Sequence, residues 1–380
     1  MSAGALLADK RVCVCVGPGG VGKTTVAAAL AAGLAARGLK VAVVTIDPAR
    51  RLADALGLPE LGDEPLRLEP ARLAAAGLEV EGELWAMTLD AKRTWDGVVA
   101  RYAPDAATRR AILGNRVYQQ LSSAVAGTQE YMAMEKLYEL HERGDYDVVV
   151  LDTPPTGNAL DFMDAPARLL GFLDSRSLRL LTASGRLGLR LAGRGAGLAF
   201  SVLERVTGVE LLRDVGDFLR AFDSMADDFR ARAARVQRLL ADPETALLAI
   251  TSSAPEAVGV TLASARRLSD SGTGLAAAVV NRVHAGVPRG AALDHALAGL
   301  LDRELATKVA ACVEDGRALA ERERSGIERL GRELPGAPLM LVPELDEDVH
   351  DMPALMRVCE HLFAAERARS VGADRQTGVP

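Results

Sequence analysis

The sequence predicts a doubly wound, mostly parallel α/β sheet with an inserted α-helical subdomain. Three observations carry that expectation. Seven short apolar runs, at 11–16, 40–46, 84–89, 146–151, 246–251, 275–280 and 338–342, recur between helical stretches. Continuous apolar runs of this length read as strands buried on both faces, as in a parallel sheet covered by helices. Their alternation with helical periodicity is the pattern of strand–helix–strand units. Two intervals are too long for a crossover helix, about 55 residues after the third run and about 95 after the fourth.

The elements follow in order. The first strand runs into Gly17-Pro-Gly-Gly-Val-Gly-Lys-Thr-Thr25, and a helix over 24–37 follows, with Gly38 placed to cap its end. The second strand ends at Asp47 and the fourth at Asp152. Both long intervals are helical by periodicity, so 92–145 and 158–240 are assigned to one helical subdomain at one end of the sheet. No internal repeat is present. The expectation is therefore a single domain over 1–370, with a flexible tail at 371–380 ending in Gly-Val-Pro380.

Composition narrows the class. Of 380 residues, 49% are hydrophobic and 25% charged, which excludes a disordered chain, a collagen and a disulfide scaffold. Aromatics are only 4%, so Leu, Ala, Val and Gly build the core. A net charge of −6 argues against a dedicated nucleic-acid binder. The four cysteines, Cys13, Cys15, Cys312 and Cys359, form no C-x-x-C pair, so neither zinc nor a disulfide framework is expected. Cys13 and Cys15 share one face of a buried strand and read as core packing ahead of metalloid ligands. Cys312 and Cys359 read as packing residues too. No secretory signal precedes the motif at residue 17, and the nearest long apolar stretch, 187–203, is broken by Arg190 and Arg194. A cytoplasmic protein is expected.

The strongest motif is the glycine-rich stretch, which satisfies G-x-x-x-x-G-K-[ST] between a predicted strand and a predicted helix, the context of a phosphate-binding P-loop. Gly17, Gly19, Gly20, Val21 and Gly22 turn backbone N–H groups around a phosphate, and the helix adds its positive end. Lys23 is placed for the β- and γ-phosphates, Thr24 for Mg²⁺ and Thr25 for the α-phosphate. Asp152 ends the buried strand Val148-Val-Val-Leu and is followed by Thr-Pro-Pro-Thr-Gly157. An Asp at a strand end serves as often as a helix cap. Beside a P-loop it reads as the acid that holds Mg²⁺ directly or through water. Asp47, ending Val43-Val-Thr-Ile, offers a carboxylate to orient an attacking water, with capping as the competing reading.

Together these motifs resemble the deviant-Walker class of P-loop ATPases. Within it the chain resembles the ArsA family of arsenite-efflux pump ATPases and tail-anchored-protein targeting ATPases. Asp47-Pro-Ala-Arg50 is similar to that family's D-P-A-H switch, and Asp152-Thr-Pro-Pro-Thr-Gly-Asn158 to its D-T-A-P-T-G-H switch. Gly127-Thr-Gln-Glu-Tyr-Met132 resembles the segment before its Walker B strand. Asn281 matches the asparagine that recognises adenine, and Pro343-Glu-Leu345 opens a stretch like the loop that closes over the base. The resemblance implies that ATP and Mg²⁺ are bound, with Thr24, Asp47 and Asp152 around the metal, and that Asp47 polarises the hydrolytic water. It also implies a nucleotide-gated dimer, homomeric or with a paralogous ATPase, whose helical subdomains form a client surface.

One departure is prominent. The family's P-loop begins G-K-G-G and its first lysine reaches the partner's phosphates; Pro18 stands there, without charge or N–H. Arg50 or Arg51, a lysine-bearing paralogue, or slow turnover would each accommodate that loss. Three functions follow: an ATPase acting on a hydrophobic protein client or membrane partner, the motor of an arsenite or anion efflux pump, and a low-turnover nucleotide-binding subunit completed by a paralogue. Met132, Met134, Met163 and Met225 lie in the helical regions and read as core filling. The stretch 168–205 carries seven arginines against Asp174 and Glu204. It reads either as a solvated helix face or as an amphipathic flap for a groove or anionic lipid, a peripheral membrane contact.

Overall fold

In the computed structural model, eight strands form one sheet: β1 (Val12–Val16), β2 (Lys40–Thr45), β3 (Leu66–Arg67), β4 (Glu83–Thr88), β5 (Val148–Asp152), β6 (Thr245–Thr251), β7 (Ala277–Val283) and β8 (Leu339–Pro343). The structure describes residues 2–47, 50–124, 128–154, 226–284 and 302–364, together with 164, 165, 214 and 218. The strand order is β3-β4-β2-β5-β1-β6-β7-β8, and every pairing is parallel except β3 with β4. The α/β class is thus the observed one. All seven apolar runs are strands. The addition is β3, a two-residue edge strand with Leu66 exposed, too short to leave a periodic signal.

The chain partitions into two compact units, one of Met1–Thr88, Gly144–Leu160 and Pro243–Pro380, the other of Leu89–Arg143 and Asp161–Asp242. The first unit holds the sheet. Its helices are α1 (Ala3–Leu6), α2 (Lys23–Ala35), α3 (Arg51–Ala55) and α4 (Pro70–Ala75), and late in the chain three more described below. The second unit is helical: α5 (Ala91–Tyr102), α6 (Ala106–Leu113), α7 (Arg116–Ala124), α8 (Thr128–Arg143) and α9 (Ala226–Leu240). The sheet unit then continues with α10 (Pro255–Asp270), α11 (Arg303–Glu333) and α12 (Met352–Phe363).

Strand residues alternate between two cores, as a sheet covered on both faces requires. Cys13, Cys15, Val41, Val43, Leu248 and Val279 face the cluster that includes α2 and α12. Ala249, Ala278 and Val280 face Val258, Leu262 and Leu330 of α10 and α11. The alanine-rich α2 is buried nearly all round, packed on the sheet chiefly along β2 and β5 and covered by α12. It ends where Gly38, at φ +88°, lets Leu39 N–H reach Leu34 O at 3.4 Å while Gly38 N–H bonds Ala35 O at 3.1 Å. Aspartates begin α11 and α12: Asp302 accepts from Leu305 N–H and Asp351 from Ala354 N–H, both at 2.8 Å.

The cysteine expectation divides. Cys13, Cys15 and Cys359 are buried. Cys312 is exposed on α11 and is not a packing residue, because no residue of that helix between 304 and 322 is buried. In the helical unit Met132 and Met134 are fully buried. Met163, Met225, most of 158–225 including the stretch 168–205, and the tail 371–380 lie outside the described residues.

The helical unit packs Trp95, Tyr131 and Phe229, with Trp95 stacked on Phe229 at 5.9 Å between centroids. Next to them Arg232 of α9, 3% exposed, donates to Glu135 at 2.8 Å and Glu142 at 2.9 Å on α8, and lies over the Tyr138 ring. Removing one partner of such a buried pair strands the other charge. Arg232→Ala is therefore expected to destabilise this unit by about 3 kcal/mol. Urea unfolding read from Trp95 fluorescence in a Trp85→Phe background measures it; a loss under about 1 kcal/mol contradicts the expectation.

Candidate active site

At the carboxyl ends of the central strands, the turn between β1 and α2 makes the floor of an open cleft of about 440 Å³. Gly17 stands where β1 leaves the sheet. A Cβ there would lie 2.0 Å from the Ile250 carbonyl oxygen, so the loop lies against β6 only because residue 17 has no side chain. Gly22 closes the loop at φ +88° as the N-cap of α2. Lys23, 7% exposed, turns its ammonium back onto the loop, donating to Gly17 O at 3.0 Å and Pro18 O at 2.9 Å. Burial pushes its pKa down and Arg51 acts the same way; Asp152, Cys15 and Asp47 oppose them.

Asp152 is the electrostatic centre. The register pairs it with Cys15 on β1 and Thr45 on β2, so three strands converge on it. Its Oδ2 accepts from the Thr24 hydroxyl at 2.7 Å and the Thr45 hydroxyl at 2.8 Å. Its Oδ1 is buried without a hydrogen-bond partner. Burial raises its pKa to about 6, against the two hydroxyl bonds and Lys23. Thr45 also accepts from the Asp47 N–H at 3.2 Å, and thus ties one acid to the other. Asp47 Oδ2 lies 3.4 Å from Arg51 Nη1. A hydroxyl and an orphaned carboxylate oxygen side by side are hard oxygen donors that fit Mg²⁺, which usually takes only one or two carboxylates from a protein.

The opposite wall comes from β7 and β8. Asn281, 6% exposed, donates from Nδ2 to Val21 O at 2.9 Å. Arg282 follows at φ +59°, the one positive-φ non-glycine among the described residues, where the β7–β8 register shifts. It faces Glu344 at 3.9 Å and Asp348 at 3.7 Å. Pro343 and Leu345 also line the cleft. Beneath the floor, the Cys15 thiol is held well above its ordinary pKa by the Cys13 hydrogen bond and by burial.

A family model described as anion-transporting ATPase matches residues 10–285. The chain belongs to that family. Among the family's curated proteins, a putative arsenical pump-driving ATPase of Halobacterium salinarum is 37% identical over 175 residues, 45% of this chain and 26% of its own length. An ATPase GET3 of Malassezia globosa is 31% identical over 156 residues, 41% of this chain and 42% of its own. An ATPase ARSA1 of Chlamydomonas reinhardtii is 32% identical over 180 residues, 39% of this chain and 22% of its own. The chain thus spans less than half the length of each relative.

The structure brings Gly20, Gly22, Lys23, Thr24, Thr25, Asp47, Asn281, Pro343 and Leu345 to the one cleft. Val21 is buried beneath it and Gly19 is exposed at the loop's tip. Asp152 touches the cleft through Thr24. Pro48, Ala49, Gly127 and the switch residues 155–158 lie outside the described residues. Sequence reasoning missed Thr45, Thr153 and Arg282. Thr153 donates its hydroxyl to Cys15 O at 2.7 Å and locks the end of β5 to β1. A hydroxyl inside or just after a buried apolar run was the available signal, since buried polar groups find partners. Among the described residues no cluster of three or more His, Cys, Asp or Glu is placed to hold a metal, and no helix is long and apolar enough to cross a membrane.

Proposed function

We propose that this chain is a Mg²⁺-dependent ATP hydrolase whose nucleotide state drives closure of a dimer, homomeric or with a paralogous ATPase, onto a hydrophobic protein client or membrane partner. The observation that carries the hydrolase reading is the junction of Lys23, Thr24 and Asp152 at the mouth of the phosphate loop. The backbone amides from Gly19 to Thr24 and the Lys23 ammonium hold the β- and γ-phosphates, and Thr25 the α-phosphate. Mg²⁺, when bound, neutralises charge on the phosphate oxygens; Thr24 and Asp152 would hold it, with Asp47 as the further acid. Asp47 orients a water in line with the γ-phosphorus. The new P–O bond forms as the bond from the γ-phosphorus to the β,γ-bridging oxygen breaks. ADP leaves with that electron pair, and the water's proton passes to inorganic phosphate or solvent. Asn281, Pro343 and Leu345 hold the adenine.

In this reading 1–370 act as one ATPase domain in the cytoplasm, and the helices assigned to 92–145 and 158–240 carry the client surface. Switch segments after Asp47 and Asp152 transmit the γ-phosphate state to them. Two other readings each have a specific support. The name of the Halobacterium relative, a putative arsenical pump-driving ATPase, favours the motor of an arsenite or anion pump, for which arsenite would accelerate turnover. Pro18 favours a slow subunit completed by a lysine-bearing paralogue. The test is ATP turnover by the purified chain, with Asp47→Asn and with Mg²⁺ chelated. Asp47→Asn is expected to lower turnover at least about a hundredfold, and chelation to abolish it. Turnover indifferent to both ends the proposal.

A further inference from the structure

Four described residues of the cleft wall are basic: Lys23, Arg51, Arg282 and His350. Lys23 is held by two loop carbonyls. Arg282 and His350 face the acids Glu344 and Asp348 of the far wall. Arg51 differs. It is the first residue of α3, its guanidinium lies 3.4 Å from Asp47, and its side chain is 65% exposed. Its charge is felt at the Lys23 ammonium. Arg50, exposed in the turn before α3, is not among the described residues of the cleft wall. An arginine paired with one carboxylate and largely exposed thus lines the cleft whose floor is the phosphate loop.

The chemistry asks for such a group. Phosphoryl transfer spreads negative charge over the γ-oxygens and the leaving oxygen, and a guanidinium matches phosphate in a fork no ammonium reproduces. Pro18 supplies no charge to the loop. We propose that Arg51 is a catalytic residue of this chain: on binding of a nucleoside triphosphate it exchanges Asp47 for a γ-phosphate oxygen, supplies the second cation, and releases Asp47 from their ion pair to orient water. The exchange makes and breaks no covalent bond and transfers no proton. The inference rests on the hydrolase reading above and deepens it.

The test compares the full chain with Arg51→Ala and Arg51→Lys. Affinity is measured calorimetrically for ADP and for a non-hydrolysable ATP analogue, alongside turnover. Arg51→Ala is expected to lower kcat about a hundredfold or more, the loss typical of one transition-state donor. It weakens the triphosphate analogue about tenfold and leaves ADP within about twofold, because only the γ-phosphate is touched. Arg51→Lys recovers part of the turnover. Arg51→Gln carries the same test if the alanine variant does not fold. Turnover of Arg51→Ala within about threefold of the unaltered chain overturns the proposal, as does an equal loss for both nucleotides. An unaltered chain that binds both nucleotides and never turns over also overturns it while leaving the nucleotide site standing. One that binds neither ends the hydrolase reading itself.

Discussion

Asp152→Asn is expected to make the nucleotide-free protein more stable and nearly inactive. The carboxylate is 1% exposed and one of its oxygens has no hydrogen-bond partner, so its charge is held at a cost. Burial raises its pKa from 3.8 to about 6. The sign follows from proton counting. Between those values the folded chain holds a proton that the unfolded chain has lost. This group's contribution to stability is therefore greatest below the unfolded value and is lost as pH rises through the folded one. The shift corresponds to a ceiling of about 3 kcal/mol. Asparagine does not titrate, and its carbonyl still accepts from the Thr24 and Thr45 hydroxyls.

With Mg²⁺ chelated, the substituted protein is therefore expected to exceed the parent by about 1–3 kcal/mol at pH 8. The difference narrows below pH 6 and closes near pH 4, as denaturant midpoints across that range would record. With ATP and Mg²⁺ supplied, turnover falls at least about a hundredfold, because a neutral amide is a poor substitute for the carboxylate that holds the metal. A variant less stable than the parent at pH 8 would mean that the charge is compensated in the absence of ligand. The account of Asp152 as a stored electrostatic cost would then be wrong. The same cost explains why Thr24 and Thr45 both turn to Oδ2. Their hydroxyls are the only hydrogen-bond donors recorded for this carboxylate among the described residues, and they leave Oδ1 for a ligand.

What the sequence made legible, and what it hid, divides along a physical line. Strands buried on both faces need apolar side chains at nearly every position, so runs such as Val148–Leu151 announce themselves without any partner. The phosphate loop is equally local, since its function lies in consecutive backbone N–H groups. Several of the remaining site features depend on neighbours distant in sequence or on local backbone geometry. Thr45 matters because the β2–β5 register sets it opposite Asp152, more than a hundred residues away, and a threonine in a valine-rich strand looks like ordinary β-propensity. Arg282 looks like a strand residue until the register shift gives it a positive φ. Arg50 and Arg51 are equivalent by composition; only the start of α3 turns Arg51 toward Asp47. Leu66 and Arg67 form a strand because β4 offers an open edge, not because two residues encode one.

The coupling between the phosphate loop and the base wall can be tested at Gly22. Its φ of +88° costs any L-residue about 1–2 kcal/mol, wherever it stands. Here a Cβ would also sit 2.3 Å from Asn281 Nδ2. The clash is with the end of a side chain, so Asn281 can retreat, but only by surrendering its 2.9 Å bond to Val21 O and its place in the wall. Gly22→Ala therefore carries two costs and Asn281→Ala can remove one of them. In a double-mutant cycle the alanine at 22 is expected to cost about 3 kcal/mol in the parent and about 1–2 kcal/mol in the Asn281→Ala background, a coupling of at least about 1 kcal/mol. ATP-over-GTP preference supplies an independent readout. If Asn281 recognises the base, Gly22→Ala and Asn281→Ala lose that preference alike, and the double variant loses no more. Strict additivity of the two stability costs would mean that the loop and the asparagine do not sense each other. Retained base preference in Gly22→Ala would mean that Asn281 does its work without its anchor on Val21.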